Sequence, residues 1–269
     1  MTMKLTRRAI LLSTLPASAL AQIKTPDDAD ANAVWDKIRP SLFGKRPIAA
    51  ADSVLALEAP QRAEDAAVVP LAIRTQVEQS AQKYIDAVYL IIDNNPSPIA
   101  GVFHFTPRSG RADIETRVRI NDYGYVRAVA EMNDGSLHMA SQWVKASGGC
   151  SAPATKDPAE AQATLGRMKF LHAGALVDGQ PNLVQLMISH PNNSGLAMDQ
   201  ATRQYAPSHY VRRINVSYGG QRVMDADLDI SISENPNFRF YVVPQNGGGV
   251  LKAEIEDSHD KRFEATQRL

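Results

Sequence analysis

The 269-residue sequence predicts an all-β protein, two β-sandwiches joined by a flexible linker, from three observations. Apolar residues recur with a period of two from Val68 onward. Turn-forming clusters separate these segments with no intervening helices. Near the middle, from Ser147 to about Gly166, the strand pattern stops in small, polar and proline-containing residues before resuming.

Taken in order, Ala33 to Leu42 reads as a short helix stopped at Pro40. VVPLAIRT, from Val68, is a first strand, and Pro70 marks it as an edge because proline cannot donate to a ladder. YIDAVYLIID follows, ended by Asn94-Asn95-Pro96-Ser97-Pro98, and then IAGVFHFT, ended by Pro107 and Gly110. In ADIETRVRI, Ala112, Ile114, Thr116, Val118 and Ile120 share one face, while Asp113, Glu115, Arg117 and Arg119 share a solvated one. YGYVRAVAEM and LHMASQWVKA, flanking the turn Asn133 to Ser136, complete a first sandwich over 34–150. The linker spans 151–166, with room for a short helix within Pro158 to Lys169. ALVDG, NLVQLMISH, VRRINVSY, RVMDADLDISI, FRFYVV, VLKAEIED and KRFEATQRL then form a second sandwich over 167–269, with Gly247-Gly248-Gly249 as a turn.

Residues 1–21 read as a removable export signal: Lys4, Arg7 and Arg8 precede an apolar stretch too short to span a bilayer, and a small-x-small site precedes Gln22. Thr6 to Leu11 also approximates a twin-arginine pattern. Residues 22–33 form a polar, disordered lead-in. The expected location is therefore the periplasm, without a membrane span. Basic and acidic residues both number 29, giving zero formal net charge, which argues against nucleic acid as a partner.

No nucleotide-binding glycine loop, HExxH or CxxC occurs, and the six histidines have no short-spaced pair, so no metal site is expected. Asp225, Asp227 and Asp229 alternate as a solvated strand face. The remaining candidate is Cys150, the only cysteine, in VKASGGCSAPATKDPAE. An exported protein has few reasons to keep one thiol without a partner. Its neighbours are small, so the sequence predicts an exposed side chain. Gly148 and Gly149 are expected to give the segment its flexibility. No His, Arg or acid lies within four residues to tune the thiol; Lys145 and Lys156 are the nearest charges. That suits a thiol carrying a group that other proteins attach and remove, rather than a catalytic nucleophile with its own base.

VYLIIDNNPSPIAGVFHF, VAEMNDGSLHMAS and WVKASGGC resemble SoxY, a subunit of the thiosulfate-oxidation carrier whose arm ends in Gly-Gly-Cys-Gly-Gly. LMISHPNNSGL, INVSYGGQRVMDADLDISISENPNFRFYV and the last strands resemble its partner SoxZ. Both in one chain are similar to the single-chain SoxYZ-like carriers associated with quinoprotein dehydrogenases. The resemblance implies immunoglobulin-like sandwiches that pair within the chain and no catalytic machinery of their own. It also implies no resident cofactor but a covalent sulfur adduct on Cys150, exchanged with periplasmic redox enzymes such as sulfur-oxidising cytochromes or a quinoprotein dehydrogenase system. The alternative is a docking module for such a dehydrogenase, with Cys150 incidental or in an intermolecular disulfide. Two departures stand out: Ser151-Ala152 replaces the trailing glycines, and the arm continues into the second sandwich. A flexible strip from Ser147 to Ala159 would still span about 20 Å.

Overall fold

The structure, a computed structural model, describes residues 32–269 apart from 52, 156, 173, 200, 201, 246 and 247. The export signal and nearly all of the lead-in lie outside the described residues.

The chain runs α1 (Trp35–Phe43), β1 (Ile48–Ala50), β2 (Leu55–Glu58), β3 (Val69–Thr75), β4 (Ile85–Ile92), β5 (Ile99–Phe105), β6 (Ile114–Val118), β7 (Gly124–Met132) and β8 (Leu137–Val144). After α2 (Pro158–Thr164) come β9 (Met168–His172), β10 (Asn182–Ile188), β11 (Val211–Tyr218), β12 (Gln221–Leu228), β13 (Asn237–Val242), β14 (Val250–Asp257) and β15 (Arg262–Arg268). The alternating strands bury one face each, and two sheets enclose those faces. One sheet has the order β1-β8-β7-β4-β5-β12-β11-β14-β15, the other β2-β3-β6-β13-β10-β9.

Both sheets run across the two halves of the sequence. β5 pairs with β12, placing Phe103 opposite Ala226 and Phe105 opposite Met224. β6 meets β13 at Glu115 and Arg239, whose side chains form an ion pair at 2.7 Å. The core is correspondingly continuous: Val69, Phe103 and Phe105 from the first half and Phe238, Phe240 and Leu251 from the second belong to one cluster. Phe103 and Phe238 meet edge to face with centroids 6.0 Å apart. Burial of such aromatic surface is the main force joining the halves. A smaller cluster seats α1 through Trp35 and Phe43 on Ile91, Val129 and Leu137.

Several local expectations are corrected. α1 continues through Pro40 to Phe43, because Phe43 is the anchor that buries it. β3 is an inner strand between β2 and β6, but β2 reaches only as far as Ala72, so Pro70 has an open side and its missing N–H costs nothing there. The segment Ala175 to Gly179 is turn rather than strand; the preceding Met168–His172 pairs with β10 instead. On β6 and its flanks the apolar face is buried as expected, but Asp113 and Arg119 on the opposite face are also buried.

Candidate functional site

The segment around Cys150 is built by backbone pairing between parts of the chain far apart in sequence. After β8, the Gly148 N–H donates to the Asn121 carbonyl at 2.8 Å and the Gly149 N–H to the Ile120 carbonyl at 2.9 Å. Residues 149–151 then form a single 3₁₀ turn, with the Ser151 N–H donating to Gly148 O. Gly148 occupies the left-handed region at φ +82°, which favours glycine. Gly149 is required for a different reason: a Cβ there would lie 2.0 Å from the Ala66 carbonyl oxygen. In this arrangement the glycines allow close packing.

Cys150 is 0% exposed, which overturns the expectation of an exposed thiol. Small sequence neighbours do not determine burial here; cover comes from distant segments. The Ser194 hydroxyl, in the loop after β10, donates to the Cys150 carbonyl at 2.5 Å. Farther along, the Thr155 N–H and hydroxyl both donate to Glu234 Oε2, at 2.8 and 2.9 Å. The second half therefore grips the thiol segment at two points. Beyond them Asp157 caps α2 by accepting from the Ala159 N–H.

Burial pushes the Cys150 thiol up to about 11, and the positive charge of Arg119 opposes that rise only in part. The thiol is therefore protonated and weakly nucleophilic at neutral pH in this conformation. Arg119 is the tuning group that a search within four residues could not find. Its backbone sits just before Ile120, which pairs with Gly149, while its guanidinium donates to the Ile232 carbonyl at 2.6 Å. It is 5% exposed, and burial pulls its own pKa down. Period-two alternation assigns Arg119 to a solvated face, so the sequence carried no signal for this role.

The fold also gathers histidines that the sequence scatters. A ring nitrogen of His190, one of His209 and an Asp257 carboxylate oxygen lie within 4.8 Å of one another, and His259 stacks on His209 at 4.0 Å. These atoms are of the type that holds a divalent transition metal. The hydrogen bonds favour another use. The Asn192 N–H donates to His190 Nδ1 at 3.0 Å, so neutral His190 keeps its proton on Nε2, the atom a metal would need. That Nε2 is buried without a hydrogen-bond partner, 3.6 Å from Asp257 Oδ2, whereas His209 Nε2 contacts the same oxygen at 2.7 Å. Burial, and secondarily His209, push His190 down to about 4. Burial alone would raise Asp257, but the His209 bond and the Lys261 and His259 amides outweigh it and hold its carboxyl below the usual range. The group is a hydrogen-bonded polar cluster in its present protonation state. Among the described residues no helix is long and apolar enough to cross a membrane.

Comparison with known proteins gives two adjacent family matches. The model for sulfur oxidation protein SoxY matches residues 39–150, and that for sulphur oxidation protein SoxZ matches 171–268. No curated protein sequence matches the chain. Among solved structures, superoxide reductase (neelaredoxin) from Ignicoccus hospitalis is similar at 17% identity and a TM-score of 0.31, covering 35% of this chain and 80% of that one. A glycosyl hydrolase family 2 member from Bacteroides cellulosilyticus is similar at 10% identity and a TM-score of 0.24, covering 75% of this chain and 24% of that one. At these values neither likeness bears on function.

Proposed function

The chain belongs to the sulfur-oxidation proteins as a fusion of a SoxY and a SoxZ domain, and from that premise we propose that it carries a sulfur intermediate covalently on Cys150. In this reading the periplasmic partners are redox enzymes that load and unload the thiol, and the protein supplies no catalytic group of its own. The observation that carries the reading is that the SoxY match ends on residue 150, the chain's only cysteine, and that this residue begins the crossing into the SoxZ domain. Partner redox chemistry fits the balance of loading. Joining a thiol to thiosulfate through a new S–S bond releases one proton and two electrons, and the partner accepts the electrons.

The buried thiol has to be uncovered before such exchange. Opening breaks the Ser194 and Glu234 bonds and the Gly148 and Gly149 amide pairings. At about 1 kcal/mol net for each of the three neutral bonds, with the two solvent-exposed bonds to the Glu234 carboxylate added, the open form lies several kcal/mol above the closed one. A partner that binds the open arm supplies that difference. Gly148 and Gly149 then act as pivots, as the sequence suggests. Once docked, the partner also supplies the base that the closed site lacks.

Burial of Cys150 favours one competing reading, in which the protein is a docking module for a quinoprotein dehydrogenase system and the thiol is incidental. Replacement in the producing cells separates the two. Cys150→Ser is expected to abolish sulfur-compound oxidation while leaving protein level and folding intact. Full oxidation with Cys150→Ser would end the carrier reading and leave the docking one.

A further inference from the structure

Beside the thiol segment lies a cavity of about 330 Å³ whose lining includes Ala152, Pro153, Arg117, Arg119, Asp65 and Glu234. We propose that this cavity is a non-covalent binding site for a small sulfur oxyanion of the thiosulfate or sulfite class. The choice of anion rests on the carrier reading; the site itself rests on the two guanidiniums.

Arg117 donates from Nη2 to the Asn235 carbonyl at 3.2 Å, and its Nε is buried with no hydrogen-bond partner. Arg119 is buried and donates from Nη1 to the Ile232 carbonyl. Among the described residues neither guanidinium forms an ion pair, although most other buried or half-buried arginines here do. Glu234 offsets part of the Arg119 charge, but burial still pulls that guanidinium's pKa down, and a buried cation without an ion pair gains from an added anion. Two carboxylates also line the cavity, but both are engaged elsewhere. Asp65 Oδ1 accepts from the Ala67 N–H, and Glu234 accepts from Thr155 and from the Asn235 side-chain amide. The formal charge of the lining is therefore balanced while its unused hydrogen-bond donors belong to the arginines. Guanidinium donors suit small sulfur oxyanions, and Arg117, half-buried in the cavity lining and without an ion pair, keeps its charge available to one.

The position links this site to the thiol. Ala152 and Pro153 follow Cys150 by two and three residues, and Arg119 is the cation that favours its thiolate form. An anion held here lies against the segment that follows Cys150, and its negative charge repels Glu234, which holds Thr155 in the same lining. Anion binding is thus coupled to release of the arm.

Calorimetric titration of the purified, reduced full chain with sodium thiosulfate, at fixed ionic strength with chloride as control, tests this. Saturable one-site binding is expected in the wild type and in Cys150→Ser. Arg117→Gln is expected to weaken it about tenfold or more, the loss of one charge-assisted donor. Glu234→Gln is expected to tighten it. Absence of saturation, an unchanged affinity in Arg117→Gln, or loss of binding in Cys150→Ser would each overturn the proposal. Because Arg117 is only half-buried, its variant tests the site even where Arg119→Gln fails to fold. Binding without any adduct on Cys150 in cells would end the carrier reading and leave this site; an adduct without binding would do the reverse.

Discussion

At Cys150 the thiol's ordinary value near 9 is raised to about 11 by burial. Two units correspond to a roughly 100-fold smaller thiolate fraction at neutral pH, since each unit is a factor of ten. Iodoacetamide labelling of the native protein is therefore expected to be at least about 100-fold slower than of the urea-unfolded chain. Equal rates would show that the closed arm is not the solution state. Gly149→Ala places a methyl group against the Ala66 carbonyl, where 2.0 Å is available. The arm has to leave its seat, so labelling of that variant is expected to approach the unfolded rate while the rest of the fold survives. His190 gives a pH dependence with a definite sign. Its folded value of about 4 lies below the ordinary 6.5, so the unfolded chain takes up the proton first as pH falls. Stability is expected to be full above about 6.5 and to decline towards pH 4, by up to about 3 kcal/mol. Urea midpoints across that range check this, and His190→Gln should flatten the slope.

Among the elements, the segment from Gly148 to Thr155 is held at its start by Asn121 and Ile120 of the first domain and farther on by Ser194 and Glu234 of the second. Removing one holder, as in Ser194→Ala, costs about one hydrogen bond, and Thr155 bonded to Glu234 contributes two more. Native-state labelling of Cys150 is expected to speed up about fivefold in Ser194→Ala and further in Ser194→Ala combined with Glu234→Ala. No change in either variant would show that these contacts do not gate the thiol. The same segment shows where sequence reasoning stops. ADIETRVRI placed Ile114, Thr116 and Val118 on the buried face, because a period of two is a local property of strands. Burial of Asp113 and Arg119 on the other face depends on what packs there. Asp113 accepts from the Thr75 N–H and hydroxyl and pairs with Arg111, and Arg119 lies under Ile232 and the cysteine segment. Those partners are distant in the chain and leave no periodic trace.

In the whole molecule, the two halves visible as a composition break at Ser147 share both sheets and one apolar core. The strand sets were legible from alternation and turns, whereas the β5–β12 junction was not, since nothing in IAGVFHFT or RVMDADLDISI names its partner. A shared core implies shared stability. A single cooperative thermal transition is expected, and Phe103→Ala, at the seam, should cost about 3–5 kcal/mol and lower it as one event. Two separated transitions would mean that the halves fold as independent bodies. The identity of the candidate thiol was legible in the sequence; its burial, its cation Arg119 and its grip by Ser194 were products of the fold. The carrier reading itself is tested most directly by the intact mass of the protein taken from its own cells without reductant. It predicts a sulfur-containing increment that maps to Cys150 and disappears on reduction; an unmodified thiol under every sulfur-oxidising growth condition would contradict it.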